Sequence, residues 1–446
     1  MSLLDALLLD PVRVDTWVAI RAAGTGSGTG TQVDPYDGST ATKFDALMRS
    51  MAVNTCVHLG PGEFETEGYH DNIAQGHGWQ AQPGMRIVGS GIDVTKLKLV
   101  SPASSGQRAY AVAHPLSSST VDFFELSGLT INCNWSGQAS GVAAGAVRIM
   151  GNHSRVVRVK VMNWGVKAGG PAGFVIAMLT GDPGNGVNSV TNCGIEECIV
   201  VVGDLGESAA DPVTVLHVGG KETAASPDEA FGLGPYIRNC FVDCGQTPPF
   251  TREFRALSMA WCRGGVVEGN QIHNTKYGGP HQTATGARDL AVRNSAYRNV
   301  WKGPYWSMAS QGVQRLVVEG NSIELATGAA SSDYAIQLDS GATPPSYAHG
   351  NVVIRDNRIR YVDGGSGSAG GIKAWSAQNL QVRENTVELA PATPLMHKNC
   401  GAAQYFENRT PAGVLVRGYN ESTSLLCSEL ETDAEDAFIL GMIKNP

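Results

Sequence analysis

Charge is scarce in this chain and thinly spread. Asp, Glu, Lys and Arg make up 17% of its 446 residues, and no run of five like charges occurs. The formal net charge is -8. A nucleic-acid binder would normally show a basic patch, so that class is set aside. Long apolar runs are missing too. None approaches the ~18 residues of a membrane span, so no membrane insertion is expected. The start, "MSLLDALLLD", is apolar, but Asp5 and Asp10 interrupt it and no Lys or Arg precedes it. That makes a poor secretory signal. The glycines between Gly24 and Gly30 lead into no strand-helix unit with an acidic partner, so a nucleotide site is not expected.

What is present is glycine, 55 residues of it, with much Val, Ile, Thr, Ser and Asn. This mixture suits short strands joined by tight turns better than helices. Length alone would allow two or three domains, but a repeat protein can be one continuous body.

A repeat is there. The unit is apolar-x-x-Asn-x-apolar. It occurs as Val267-Glu-Gly-Asn270-Gln-Ile272, Val318-Glu-Gly-Asn321-Ser-Ile323, Ile354-Arg-Asp-Asn357-Arg-Ile359 and Val382-Arg-Glu-Asn385-Thr-Val387. Ser295 takes the Asn place once, Cys198 and Cys240 take it twice, and Leu126 to Ile131 is a looser early copy. From Cys240 the central residues are spaced 30, 25, 26, 36 and 28 apart. Such a unit cannot bury its apolar face alone, and stacking copies builds a continuous core. Asn at the corner suits a tight turn, because it tolerates the left-handed conformation. Stacked in register, such residues form an internal ladder. β-Propeller blades need ~40–45 residues with hairpin signals, longer than these spacings. Period-two alternation and internal Gly exclude helices.

With these residues in view, the chain resembles the right-handed parallel β-helix proteins of the pectate-lyase-like superfamily, over roughly residues 40 to 420. "DPYDGSTATKFDALMRSM" looks like the capping helix that opens many of them, and "MRIVGSGIDVTKLKLV" like a first full coil. The expected fold is all-β: a right-handed, single-stranded parallel β-helix, or solenoid, with a short N-terminal capping helix. Residues 1–40 would be an attachment or oligomer segment, 41–425 the β-helix, and 426–446 a capping tail. The superfamily includes polysaccharide lyases and hydrolases and phage tailspikes, so the fold alone does not fix an activity.

The nine cysteines could be a disulfide set, a metal site or buried thiols. Cys193, Cys198, Cys240 and Cys244 tempt a zinc reading. Cys198 and Cys240 occupy the inward corner place, however, and free Cys behaves as a small buried hydrophobe. Buried thiols and no metal site are therefore expected.

The resemblance implies a ligand groove along one stacked sheet and its loops. Strands "YAIQLD" and "GGIKAW" send Asp339, Lys373 and Trp375 outward if Ile336 or Leu338, and Ile372, point inward. Loops "HNTKYGGPHQT" and "VWKGPYW" add Tyr277, His281, Trp301, Tyr305 and Trp306. Aromatic faces flanked by polar groups suit sugar stacking. Expected carbohydrate contacts are Tyr277, Trp301, Tyr305, Trp306 and Trp375. Catalytic candidates are Asp339, Lys373 and His281, although the paired acids of hydrolases and the acidic calcium cluster beside a lyase base are not evident. No cofactor is expected. The expected partner is a polysaccharide or cell-surface glycan. Three settings stay open: a tailspike or receptor-binding protein of a phage-like particle (the preferred one), an exported lyase or hydrolase, and a non-catalytic adhesive β-helix. The place of action would be the virion or the extracellular space. The exposed leucines of "LLDALLLD" suggest an interface, and a homotrimer is expected.

Overall fold

A computed structural model describes residues 12–21, 25–70, 78–100, 106–114, 120–167, 170–171, 173–179, 190–202, 213–219, 232–282, 287–308, 313–330, 332–340, 349–362, 369–388, 395–400, 402–420 and 425–426. The leucines of residues 3–9 and most of the 426–446 tail lie outside this set.

Burial sets the register. In the corner copies the first apolar residue of each repeat sits on its counterpart in the next coil. Leu126 pairs with Val156, Val156 with Ile195, Ile195 with Ile237 and Ile237 with Val267. The column continues through Val292, Val318, Ile354 and Val382 to Tyr405. The second apolar residue builds a parallel column from Ile131 through Val161, Val200, Val242, Ile272, Tyr297, Ile323 and Ile359 to Val387. A one-residue slip would turn each strand's apolar set outward, so the columns lock one another. Nearly all pairings are parallel. The architecture is an all-β parallel β-helix.

Between the two columns runs the ladder. The Asn321 backbone N–H donates to Asn357 Oδ1 (3.1 Å), that of Asn357 to Asn385 (3.0 Å), and that of Asn385 to Asn408 (3.2 Å). Each Nδ2 also donates to a carbonyl of the preceding coil: Asn321 to Val292, Asn357 to Val318, Asn385 to Ile354 and Asn408 to Val382. Buried backbone groups at the corner are thereby satisfied. Asn408 is a further copy that the repeat pattern does not reveal, because polar Thr410 stands in the final apolar place.

One expectation is corrected here. The ladder residues are not the left-handed ones. The residue before each carries the positive φ: Gly269 at 66°, Gly320 at 65°, Asp356 at 56° and Glu384 at 57°. The glycines have a further reason to be there. A Cβ at Gly269 would lie 2.4 Å from Asn239 Oδ1, so Gly serves both the turn and the close approach of the previous coil.

Cys198 and Cys240 are buried at the two ladder places as expected. The Cys240 backbone N–H donates to Asn270 Oδ1 (3.0 Å). Burial pushes the Cys193 and Cys244 thiols up to about 12. Cys198 and Cys240 are 0% and 1% exposed, and a thiol that a reagent cannot reach does not react. We expect Cys198 and Cys240 to resist thiol reagents in the native protein and to react on denaturation, read by mass spectrometry after pulsed alkylation. Labelling at the native rate of an exposed thiol would overturn the assignment.

The N-terminal end differs from the proposed boundary at residue 40. Strand Val14–Ala19 already pairs in parallel with Thr55–Leu59. The helix Ala41–Ser50 follows, with the Thr40 hydroxyl accepting from the Lys43 N–H at its start. It buries Phe44 and Met48, and the Phe44 ring packs on those of Phe64 and Trp79. Buried Asp45 on the same helix accepts from the Thr66 hydroxyl (2.6 Å) and the Glu67 N–H (2.9 Å), and desolvation raises its carboxyl to about 6. This is the expected capping helix. No helix among the described residues is long and apolar enough to cross a membrane.

Candidate functional site

One face of the coil collects the polar and aromatic side chains. Its strands include Phe254–Ala260, the end of Gln271–Gln282, Tyr305–Met308, Tyr334–Ser340, Gly370–Trp375 and Leu395–Lys398. Alternation decides which residues leave the core. Ile336, Leu338, Ile372 and Ala374 point inward and are fully buried. Their neighbours form an outer column in strand register: Tyr305 on Gln337, Gln337 on Lys373, Lys373 on Met396. Three steps at the usual strand spacing make this column ~14 Å long.

Two clusters sit on the column. In the first, the Tyr277 and Tyr305 rings stack with centroids 5.8 Å apart and planes at 13°. Lys302 places its Nζ 4.3 Å from the Tyr305 centroid and 5.9 Å from that of Tyr277. The same Nζ lies 3.1 Å from an Asp333 carboxylate oxygen. Arg255, in register with Tyr277, pairs with Glu253 at 2.6 Å. Burial first, and then Glu253, Tyr305 and Asp333, push the Tyr277 phenol above its usual range, so it remains a hydrogen-bond donor. Lys276 lies between Tyr277 (5.3 Å) and Trp301 (5.6 Å), which ties the half-buried Trp301 to this cluster.

In the second cluster, Lys373 Nζ lies 3.7 Å from the Trp375 centroid and 3.5 Å from an Asp339 oxygen. Lys398 approaches the same ring at 5.0 Å. Gln337 Nε2 donates to the other Asp339 oxygen at 2.5 Å. Upstream on the same face, His217 Nδ1 is 3.1 Å from Ser258 Oγ and its ring packs on Phe174. Desolvation lowers this imidazole to about 4, so it is neutral at pH 7 and adds no cation.

The structure brings Tyr277, Tyr305, Asp339, Lys373 and Trp375 onto one face, with Trp301 at its edge. Trp306 does not belong there. It is 0% exposed, because it alternates with outward Tyr305 and sits in register on inward Leu338. The expected loop "VWKGPYW" is instead the end of strand Ala296–Lys302 and the start of strand Tyr305–Met308, with a break at Gly303-Pro304. The His281 backbone pairs with Tyr305; its side chain lies outside the described residues. Lys373 does point away from the core, yet it is only 7% exposed, since Trp375 and Tyr334 flank its stem.

The carboxylates constrain the chemistry. Asp333 and Asp339 lie near opposite ends of one strand, six positions apart, which in extended chain is about 20 Å. Glycosidase pairs sit ~5–9.5 Å apart, so these two cannot flank one glycosidic bond. Lys373 is engaged by Asp339 and Trp375, an arrangement that suits an anchored cation. Asp333, Arg255 and Tyr334 were not foreseen. Asp333 precedes its strand, where alternation has no hold, and only the coil-to-coil pairing brings it under Lys302.

No protein-family model matches the chain, and no curated protein matches it. Solved structures do resemble it. DFA-IIIase from Arthrobacter chlorophenolicus A6, in complex with GF2, superposes with a TM-score of 0.55 at 10% identity, covering 94% of this chain and 100% of that one. PfbA, a surface adhesin of Streptococcus pneumoniae, gives 0.51 at 11% identity, covering 91% and 93%. The Dettilon tailspike protein reaches only 0.44, too low to bear on function. At such identities the likeness speaks for the fold alone, a parallel β-helix.

Proposed function

We propose that the chain binds an extended acidic polysaccharide along the outer face built on Tyr277, Tyr305, Gln337 and Lys373. The observation that carries this is the continuity of the column. The column itself runs Tyr305, Gln337, Lys373 and Met396, and ring–cation clusters flank it on successive coils: Tyr277 and Tyr305 with Lys302, then Trp375 with Lys373 and Lys398. Charge points to the sign of the ligand. The strip holds Arg255, Lys276, Lys302, Lys373 and Lys398 against three carboxylates, on a chain whose net charge is -8. Rings accept sugar C–H faces while the Tyr277 phenol takes hydroxyls; Gln337, 2% exposed and bound to Asp339, holds that carboxylate in place. The reading serves a virion spike, an exported enzyme and an adhesive surface alike, and none of the contacts described demands bond cleavage.

The test is an array of acidic and neutral glycans, followed by titration of the best ligand. Tyr305→Ala and Lys373→Ala should each weaken binding about tenfold, or ~1.4 kcal/mol, and binding should fall as salt rises. Reducing-end and unsaturated-product assays on the same polymer report any cleavage. Unchanged affinity in folded variants of both residues would remove the site from this face. A preference for neutral polymers with no salt dependence would remove the acidic ligand.

A further inference from the structure

A second group of chemically active side chains lies outside this face, near the start of the chain. Asp15, Cys56 and His58 present a carboxylate oxygen, a thiol sulfur and an imidazole nitrogen, all within 4.8 Å of one another. Strand pairing is what assembles them. Asp15 is in register with Cys56, and Trp17 with His58. Cys56 and His58, two apart on one strand, project from the same face.

The contacts converge on one atom. His58 Nε2 lies 2.8 Å from Asp15 Oδ1 and 3.4 Å from Cys56 Sγ. A ring nitrogen has one in-plane direction for a hydrogen or a lone pair, so it cannot serve both neighbours well. A nucleophilic relay would need Cys56 and Asp15 on different ring nitrogens. That arrangement is not present.

We propose that Asp15, Cys56 and His58 form a binding site for a divalent transition metal of the zinc type. Sulfur, nitrogen and oxygen donors together are the ligand set of Zn²⁺. With ordinary bond lengths and tetrahedral angles, the S···N separation would be about 3.6 Å and the N···O separation about 3.4 Å. The observed 3.4 Å and 2.8 Å require the His–Asp contact to open by about half an ångström, which a surface carboxylate can do. Asp15 has 56% of its side chain exposed and His58 32%, so the site is reached from solvent while Cys56 forms its floor. A thiolate and a carboxylate supply two negative charges against the two positive charges of the ion. The His58 ring is held by stacking on Trp17, with centroids 4.7 Å apart at 14°. Arg86, next in the column after Cys56, is paired with Glu125 at 2.8 Å. Three protein ligands leave a fourth position for water or an exogenous group. The ion would fasten strand Val14–Ala19, whose Val14 is 70% exposed, onto the first coil.

The full chain, stripped by chelator, is titrated with Co²⁺ and then Zn²⁺ alone. One equivalent of Co²⁺ should bind with a thiolate-to-cobalt charge-transfer band, and Zn²⁺ should displace it and raise the melting midpoint. Cys56→Ser should lose the band. His58→Ala and Asp15→Asn, at partly exposed positions that spare the core, should each weaken affinity at least about tenfold. No stoichiometric binding, a band that survives in folded Cys56→Ser, or unaltered affinity in His58→Ala and Asp15→Asn would overturn the site. Glycan binding rests on other residues and should be unaffected by these variants.

Discussion

Trp306→Ala is expected to cost about 3–5 kcal/mol of stability, the range for truncating a fully buried large aromatic. The ring is 0% exposed and shares its layer with Leu338 in the next coil. Removing it leaves a void between coils that the rigid strand pairing cannot close. Among the described residues the indole N–H has no hydrogen-bond partner, so no polar contact there recommends tryptophan. Trp306→Phe should therefore be far milder, since it keeps most of the ring and removes the unsatisfied donor. Trp375→Ala makes the contrast. That ring is half-buried on the outer face, under Lys373 and Lys398. Its loss should lower glycan affinity while moving the melting transition little. Thermal melts of the three variants beside glycan titration separate a core tryptophan from a binding one. If Trp306→Ala melts with the wild type, the inward orientation is wrong.

The contrast also shows where sequence was sufficient. A strand with Tyr305 outward puts Trp306 inward by alternation alone. The aromatic-rich "VWKGPYW" nevertheless reads as loop, because Gly303 and Pro304 interrupt it. The aliphatic columns were legible because burial forces period two at every coil. Asp339, Lys373 and Trp375 were placed on the outer face by the same rule. What alternation cannot reach is pairing between distant segments. Asp333 meets Lys302 across a coil step, and Asp15 meets Cys56 across 41 positions of sequence. Composition carries no trace of either contact. The corner conformation was half legible. The Asn ladder followed from the repeat, but the left-handed residue is its predecessor, which can be Gly, Asp, Asn or Glu. No single residue type marks it.

Asn357→Ala should cost about 3–5 kcal/mol, mostly through partners left behind rather than through the side chain removed. Asn357 is 1% exposed. Its Oδ1 accepts from both the N–H and the Nδ2 of Asn321, at 3.1 and 2.9 Å. Its Nδ2 donates to the Val318 carbonyl at 2.9 Å. Alanine strips partners from groups sealed between coils, where water does not reach, and each buried orphan costs ~1–3 kcal/mol. The chain itself offers the graded control. Ser295 occupies the equivalent corner, and its Oγ accepts the Asn270 N–H at 3.2 Å while donating to the Arg293 carbonyl at 3.1 Å. Asn357→Ser should thus retain one acceptor and fall between wild type and alanine. Coils contact only their neighbours, so the damage should be local. Hydrogen exchange should quicken at the corners of Asn321, Asn357 and Asn385 before it changes at Asn270. Equal stability for the Ser and Ala variants would mean that the ladder's hydrogen bonds do not hold the corner. Faster exchange spread evenly along all coils would mean that the coils unfold as one unit instead of step by step.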